Sequence, residues 1–249
     1  MAKQKGLFKV EGTLDDVTFY KKGESYFIRN KGGVSRQRVL NDPSFARTRE
    51  NGSEFANVAA SGKMLRNANS VLIKKAKDGS LTRRLMHVLA KVKNADTVSV
   101  RGQRNVNDGL STTDGKAFLK NFDFNSFTPL KAIMQAPYEL DTVTGTVTIT
   151  DLVPMDMLTF PNYASRVTFK VGFMNLDLLN GDYTITYSPE VTLPIDMTSS
   201  SPVVTPTGVP TGSGYSFYFL LVEFSQEING VFYALNDETY NSLTLLEVV

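Results

Sequence analysis

The sequence has no cysteine, no tryptophan and a single histidine, His87. Without cysteine there can be no disulfide, no thiolate nucleophile, no iron–sulfur cluster and no cysteine zinc site. One histidine cannot build a multi-histidine metal centre, and it leaves acid–base chemistry near neutral pH short of its usual side chain. Long hydrophobic runs are also scarce. The strongest, Phe217 to Val222 within Tyr215 to Phe224, is about half as long as a membrane-spanning helix. The opening Met-Ala-Lys-Gln-Lys-Gly is basic with no apolar stretch behind it. Together these features predict no secretory signal, no membrane span and a cytoplasmic location.

What is present is a chain of 249 residues, 41% hydrophobic and 21% charged, enough for one large core or two modest ones. Its charge is unevenly placed. Residues 1–120 hold 24 Lys and Arg against 11 Asp and Glu, a balance of +13, whereas residues 121–249 hold 3 against 14, a balance of −11. The formal net charge of +2 is the cancellation of these two fields.

The pattern predicts an α+β protein in three parts. Residues 1–38 read as an N-terminal β-hairpin or meander: Val17 to Lys21 and Ser25 to Arg29 flank a turn at Lys22-Gly23-Glu24. So small a sheet is marginal alone and must pack on something, either the rest of this chain or a neighbouring copy. Residues 39–128 read as a basic helical unit. Asp42-Pro43 opens it as an N-cap followed by a first-turn proline. Phe45, Ala46, Phe55, Ala56, Ala59 and Ala60 suit helical packing, with Asn51-Gly52-Ser53 as an interruption, and a second run covers Lys63 to Lys77. Leu81, Leu85, Val88, Leu89 and Val92 follow the helical period, and a short helix is expected at Asp114 to Asn121.

Residues 129–249 read as an acidic antiparallel β-sandwich of immunoglobulin-like or jelly-roll type. Val147 and Ile149, then Val167, Phe169, Val171 and Phe173, alternate with polar residues. Tyr215 to Phe224, apolar on both faces, predicts a central strand, and Asn229-Gly230 a tight hairpin. Thr198 to Gly214, rich in Pro, Gly and Ser, predicts a long surface loop, either a binding loop or a flexible excursion.

Catalytic chemistry finds little support. His87 shares a helix face with Arg84 and Lys91, and no carboxylate is placed to orient it as a catalytic base. Asp15-Asp16, Asp141 with Asp151, and Asp237-Glu238 fall in or beside predicted turns, where local hydrogen bonding explains them. No phosphate-cradling glycine motif is present. No enzyme activity, cofactor, metal or small-molecule substrate is therefore expected.

The basic half is richer. Lys74-Lys75-Ala76-Lys77, Arg83-Arg84, Lys91-Val92-Lys93 and Arg101-Gly102-Gln103-Arg104 form a concentrated positive field fitted to an acidic protein surface or nucleic acid. Residues 70–117 contain no Phe, Tyr or Trp, so a base-stacking platform is missing, although a helix could still lie against phosphates. Head-to-tail association of copies would bring the +13 and −11 fields together.

Several segments resemble a family. They are Lys5-Gly6 through Gly12, Val17-Thr18-Phe19-Tyr20-Lys21, Arg29-Asn30-Lys31-Gly32-Gly33, and above all Asn41-Asp42-Pro43-Ser44-Phe45-Ala46-Arg47-Thr48-Arg49-Glu50-Asn51-Gly52-Ser53-Glu54-Phe55. Together they are similar to a recurrent, uncharacterised family of Bacteroidota proteins of about this length. The resemblance implies a bacterial or bacteriophage origin and carries over no catalytic residues.

The expectation is a non-enzymatic structural subunit that self-assembles into a particle, tube or filament, such as a phage or virus-like coat or tail component. Lys74, Lys75, Arg83, Arg84, Lys91 and Arg104 are the candidate electrostatic contacts, and Phe19, Tyr20, Tyr26 and Phe27 the candidate β-arm contacts. The alternative is a cytoplasmic protein that binds nucleic acid through the basic helices without reading sequence.

Overall fold

The computed structural model describes residues 2–76, 78–235 and 240–249. It divides into two compact units, Met1–Arg49 and Glu50–Val249.

In the first unit, β1 (Ala2–Lys3), β2 (Gly12–Leu14), β3 (Val17–Lys22) and β4 (Ser25–Asn30) make an antiparallel sheet in the order β1-β4-β3-β2. The β3–β4 hairpin turns at the expected glycine, with Lys22 opposite Ser25. Cross-strand aromatic pairs stabilise such sheets, and here the Tyr20 and Phe27 rings stack with centroids 5.8 Å apart. Helix α1 (Arg36–Asn41) follows, capped by the Ser35 hydroxyl, and a single 3-10 turn spans Pro43–Phe45. There Asp42 accepts a hydrogen bond from the Ser44 N–H at 2.9 Å, the cap its sequence position predicts. No described residue of this unit is buried.

The second unit begins along α2 (Ala46–Ala68) and continues through α3 (Ser70–Lys75), α4 (Leu81–Asn94), α5 (Val106–Leu110) and α6 (Thr113–Leu119). Then come β5 (Phe122–Asp123), α7 (Leu130–Ile133), β6 (Tyr138–Leu140), β7 (Val147–Ile149), α8 (Pro154–Met157), β8 (Arg166–Leu176), β9 (Tyr183–Tyr187) and β10 (Val191–Pro194). The chain closes with β11 (Val203–Val204), β12 (Tyr215–Ile228), β13 (Val231–Ala234) and β14 (Ser242–Val248). A large antiparallel sheet has the path β10-β8-β12-β14-β5, with β9 on β8 and β13 on β12; a small sheet runs β11-β7-β6. The α+β class and the C-terminal antiparallel strands therefore stand as expected.

The period-two pattern of the central strands explains the layering. On β12, Phe217, Phe219 and Leu221 enter one core with Leu65, Leu72, Leu85 and Leu89 of the helices. Leu220, Val222 and Phe224 enter the other, with Val147 and Ile149 of the small sheet. On β14 a register shift lets Leu246 face the small sheet while Leu243, Leu245 and Val248 face the helices. The result is three layers: helices, large sheet, small sheet.

The helices share one core with the large sheet, and the two compact units divide at Arg49 and Glu50. The two sheets face each other as in a sandwich, but the outer face of the larger one lies under helices and not in water. Thr198 to Gly214 is not a free loop. Its β11 pairs with β7, Pro202, Val204 and Pro206 are buried, and the Thr186 hydroxyl donates to the Gly208 carbonyl at 2.6 Å.

Helix α2 also runs unbroken through Asn51-Gly52-Ser53, turning Glu54 inward and leaving Phe55 63% exposed, the reverse of their polarity. Two glycines are required by geometry. A Cβ on Gly109 would lie 2.1 Å from the Val92 carbonyl oxygen, so α5 approaches α4 backbone to backbone. Asn229 and Gly230 have φ of 51° and 78°, the left-handed pair a two-residue hairpin demands.

Candidate assembly surfaces

The cations nominated from the sequence separate into two groups once their partners are seen. Arg104 is one arm of a clamp on Glu54: its guanidinium reaches both carboxylate oxygens, at 2.9 and 3.0 Å. The Lys93 ammonium bonds the same carboxylate, and the Gly102 N–H donates to it at 2.8 Å. Glu54 is only 3% exposed and Lys93 9%. The hydrogen bond from Arg104 is the main reason the Glu54 carboxyl is held down at about 2, against the opposing effect of burial. Sequence reasoning passed over Glu54. Its signal is an acidic residue four positions before the inward Val58, at the spacing of a buried helix stripe.

Arg84 plays a similar part. It donates to Asp78 at 2.6 Å and to the backbone carbonyls of Asp123 and Phe124 at 2.7 and 3.0 Å. Burial pushes the Asp78 carboxyl up, but donors from Ser126 and Ser80 outweigh it and hold the group well below the usual carboxylate range. Asp96, likewise buried, accepts from the N–H groups of Val98, Ser99 and Asn105 and is lowered in the same way. Lys75 pairs with Glu223 at 3.0 Å. Three of the six nominated cations therefore stitch the helices to their surroundings; charge clustering alone could not reveal this, because the partners lie up to 148 residues away.

The remaining three, Lys74, Arg83 and Lys91, are exposed. Arg83 and Lys91 form a row along α4 with exposed His87 between them. His87 also lines a shallow hollow with Arg83, Arg84, Val88 and Phe122, a lining with no carboxylate. Lys77 lies outside the described residues, as do Asp237 and Glu238. Asp141 serves its own turn, accepting from the Val143 N–H at 2.9 Å and the Thr144 hydroxyl at 2.6 Å. Asp15 and Asp151 occupy left-handed turn positions, with φ of 48° each. Among the described residues no group of three or more His, Asp or Glu side chains could hold a metal, and no helix is long and apolar enough to cross a membrane.

The nominated arm residues sit in the first unit on both faces of its sheet. Directly opposed residues share a face. Tyr20 and Phe27 therefore lie on one side, and Phe19 with Ile28 and Tyr26 with Lys21 on the other. All four nominated aromatics are half-buried. Leu7, Phe8 and Leu14 are exposed, Phe8 at 84%. The unit carries 11 Lys and Arg against 5 Asp and Glu, a balance of +6, while residues 50–249 carry 16 against 20, a balance of −4.

Comparison with family models, with curated proteins and with solved structures finds no match to this chain.

Proposed function

We propose that this protein is a non-enzymatic structural subunit whose copies associate through the N-terminal sheet, building a multi-copy particle, tube or filament of the kind found in phage or virus-like coats and tails. One observation carries the reading: a complete four-stranded sheet, with an aromatic pair and exposed Leu7, Phe8 and Leu14, has no buried residue among those described. A sheet of this size acquires its stability from a surface that covers it. The resemblance to a Bacteroidota family fits a bacterial or phage setting. Light scattering of the purified chain across concentration and salt tests the reading. Masses well above 27.5 kDa, falling as salt is added, support it, and a monomer at every concentration and salt rejects it.

Nucleic-acid binding is the second reading, favoured by the exposed Arg83, His87 and Lys91 row on α4. It requires an affinity for duplex DNA or RNA that falls steeply with salt and disappears when Arg83 and Lys91 become glutamate. Absence of binding at low salt excludes it.

A further inference from the structure

We propose that the seam between copies joins the Tyr20–Phe27 face of one copy's N-terminal sheet to the acidic, methionine-bearing surface around α8 of the next. This rests on the assembly reading and names its two contacting surfaces.

The first surface follows from strand register. Lys3 lies opposite Phe27, Phe27 opposite Tyr20, Thr18 opposite Arg29, and Lys22 opposite Ser25. Opposed residues share a face, so Lys3, Lys22 and Arg29 surround the stacked Tyr20–Phe27 pair. The Arg29 guanidinium lies 5.3 Å from the Tyr20 ring centroid. Strands β1, β3 and β4 contain no Asp or Glu. The face is therefore aromatic at its centre and cationic around it.

The second surface has the opposite character. No Lys or Arg occurs in residues 132–165 or 171–249. Within that stretch the chain brings two segments together at α8: Leu152 and Ser200 form an antiparallel bridge, the Met155 N–H donates to the Asp196 carbonyl at 3.1 Å, and the Asp151 N–H donates to the Ser201 hydroxyl at 3.0 Å. This gathers Asp151, Asp156 and Asp196 around Met155 and Met197, which are 45% and 65% exposed. Methionine is flexible and polarisable, which suits it to packing against aromatic rings.

The occupant of each surface is a second copy, because the charges complement each other at both scales: a basic aromatic face meets an acidic, methionine-bearing one, and a +6 unit meets a −4 unit. The contact is head to tail, so it repeats into rings or filaments instead of closing as a pair.

Complementary charge reversal in the full-length chain tests this. An arm variant, K22E/R29E, and a body variant, D156K/D196K, are each sedimented alone and as an equimolar mixture at low salt, with circular dichroism melts confirming that both fold. Each variant alone is expected at the monomer mass of 27.5 kDa, and the mixture is expected to regain the wild-type size distribution, since each reversed surface finds its opposite only on the other variant. If wild type assembles but either variant alone assembles equally well, or the mixture stays monomeric, the seam is wrong while the assembly reading stands. A wild-type chain that is monomeric throughout overturns both. Should a double variant melt early, the single pair R29E and D156K gives the same discrimination.

Discussion

Replacing Glu54 by glutamine keeps the side chain's shape and removes the charge that Arg104, Lys93 and the Gly102 N–H converge on. The carboxyl's displacement from 4.5 to about 2 corresponds to roughly 3 kcal/mol of folding free energy at neutral pH. Glu54 is buried, so solvent screening takes little from this figure. Leaving two cations without their anion in a buried setting costs about 3–5 kcal/mol in comparable cases, which agrees in size. For a unit of this length the loss lowers Tm by roughly 6–12 °C. The pH dependence has a definite sign. A carboxyl whose folded pKa is depressed contributes fully above its unfolded value and loses that contribution as pH falls through the folded one. The gap in stability between wild type and E54Q should therefore be constant above about pH 5 and shrink steadily towards pH 2. Urea denaturation of both proteins at a series of pH values measures it. A gap below about 0.5 kcal/mol at pH 7, the range of an ordinary surface substitution, refutes the clamp, as does a gap that does not narrow in acid.

Two further predictions separate structural from surface roles. R84E should destabilise by about 2–4 kcal/mol, because it opposes Asp78 and abandons two backbone carbonyls, whereas R83E one position earlier should stay within about 0.5 kcal/mol of wild type; thermal melts compare them directly. G109A should cost about 1–3 kcal/mol in chemical denaturation, since the added methyl meets the Val92 backbone and not a side chain that could turn away.

Much of the architecture was legible because it depends on local periodicity. The alternation through Val167 to Phe173 placed β8, the doubly apolar Tyr215 to Phe224 placed β12 at the centre, and Asn229-Gly230 placed the hairpin that leads to β13. What could not be read was which distant elements share a core. The apolar faces of α2 to α6 look self-sufficient as a helical bundle, and only the structure shows them covering Phe217, Phe219 and Leu221. The proline-rich stretch after Thr198 was misread for a related reason: β11 is an edge strand of two residues, too short to show a period and in a position where neighbouring prolines are tolerated. For the candidate contacts, charge density was visible but pairing was not. Lys75, Arg84 and Arg104 look like Lys74, Arg83 and Lys91 until Glu223, Asp78 and Glu54 are placed beside them.

The position of β14, between β12 and β5, has a consequence for the order of events during folding. Its link to β5, where the Thr244 hydroxyl meets the Asp123 carboxylate, spans 121 residues. Pairings of such long reach form slowly, because loop closure must precede any reward from the contact. The helical layer therefore cannot seal its core during synthesis until Leu243, Leu245 and Val248 arrive to complete the floor beneath it. The N-terminal sheet, closed by pairings that span fewer than thirty residues, is free of that delay. A nascent chain can therefore form its N-terminal strand pairings early, while closure of the body waits for β14.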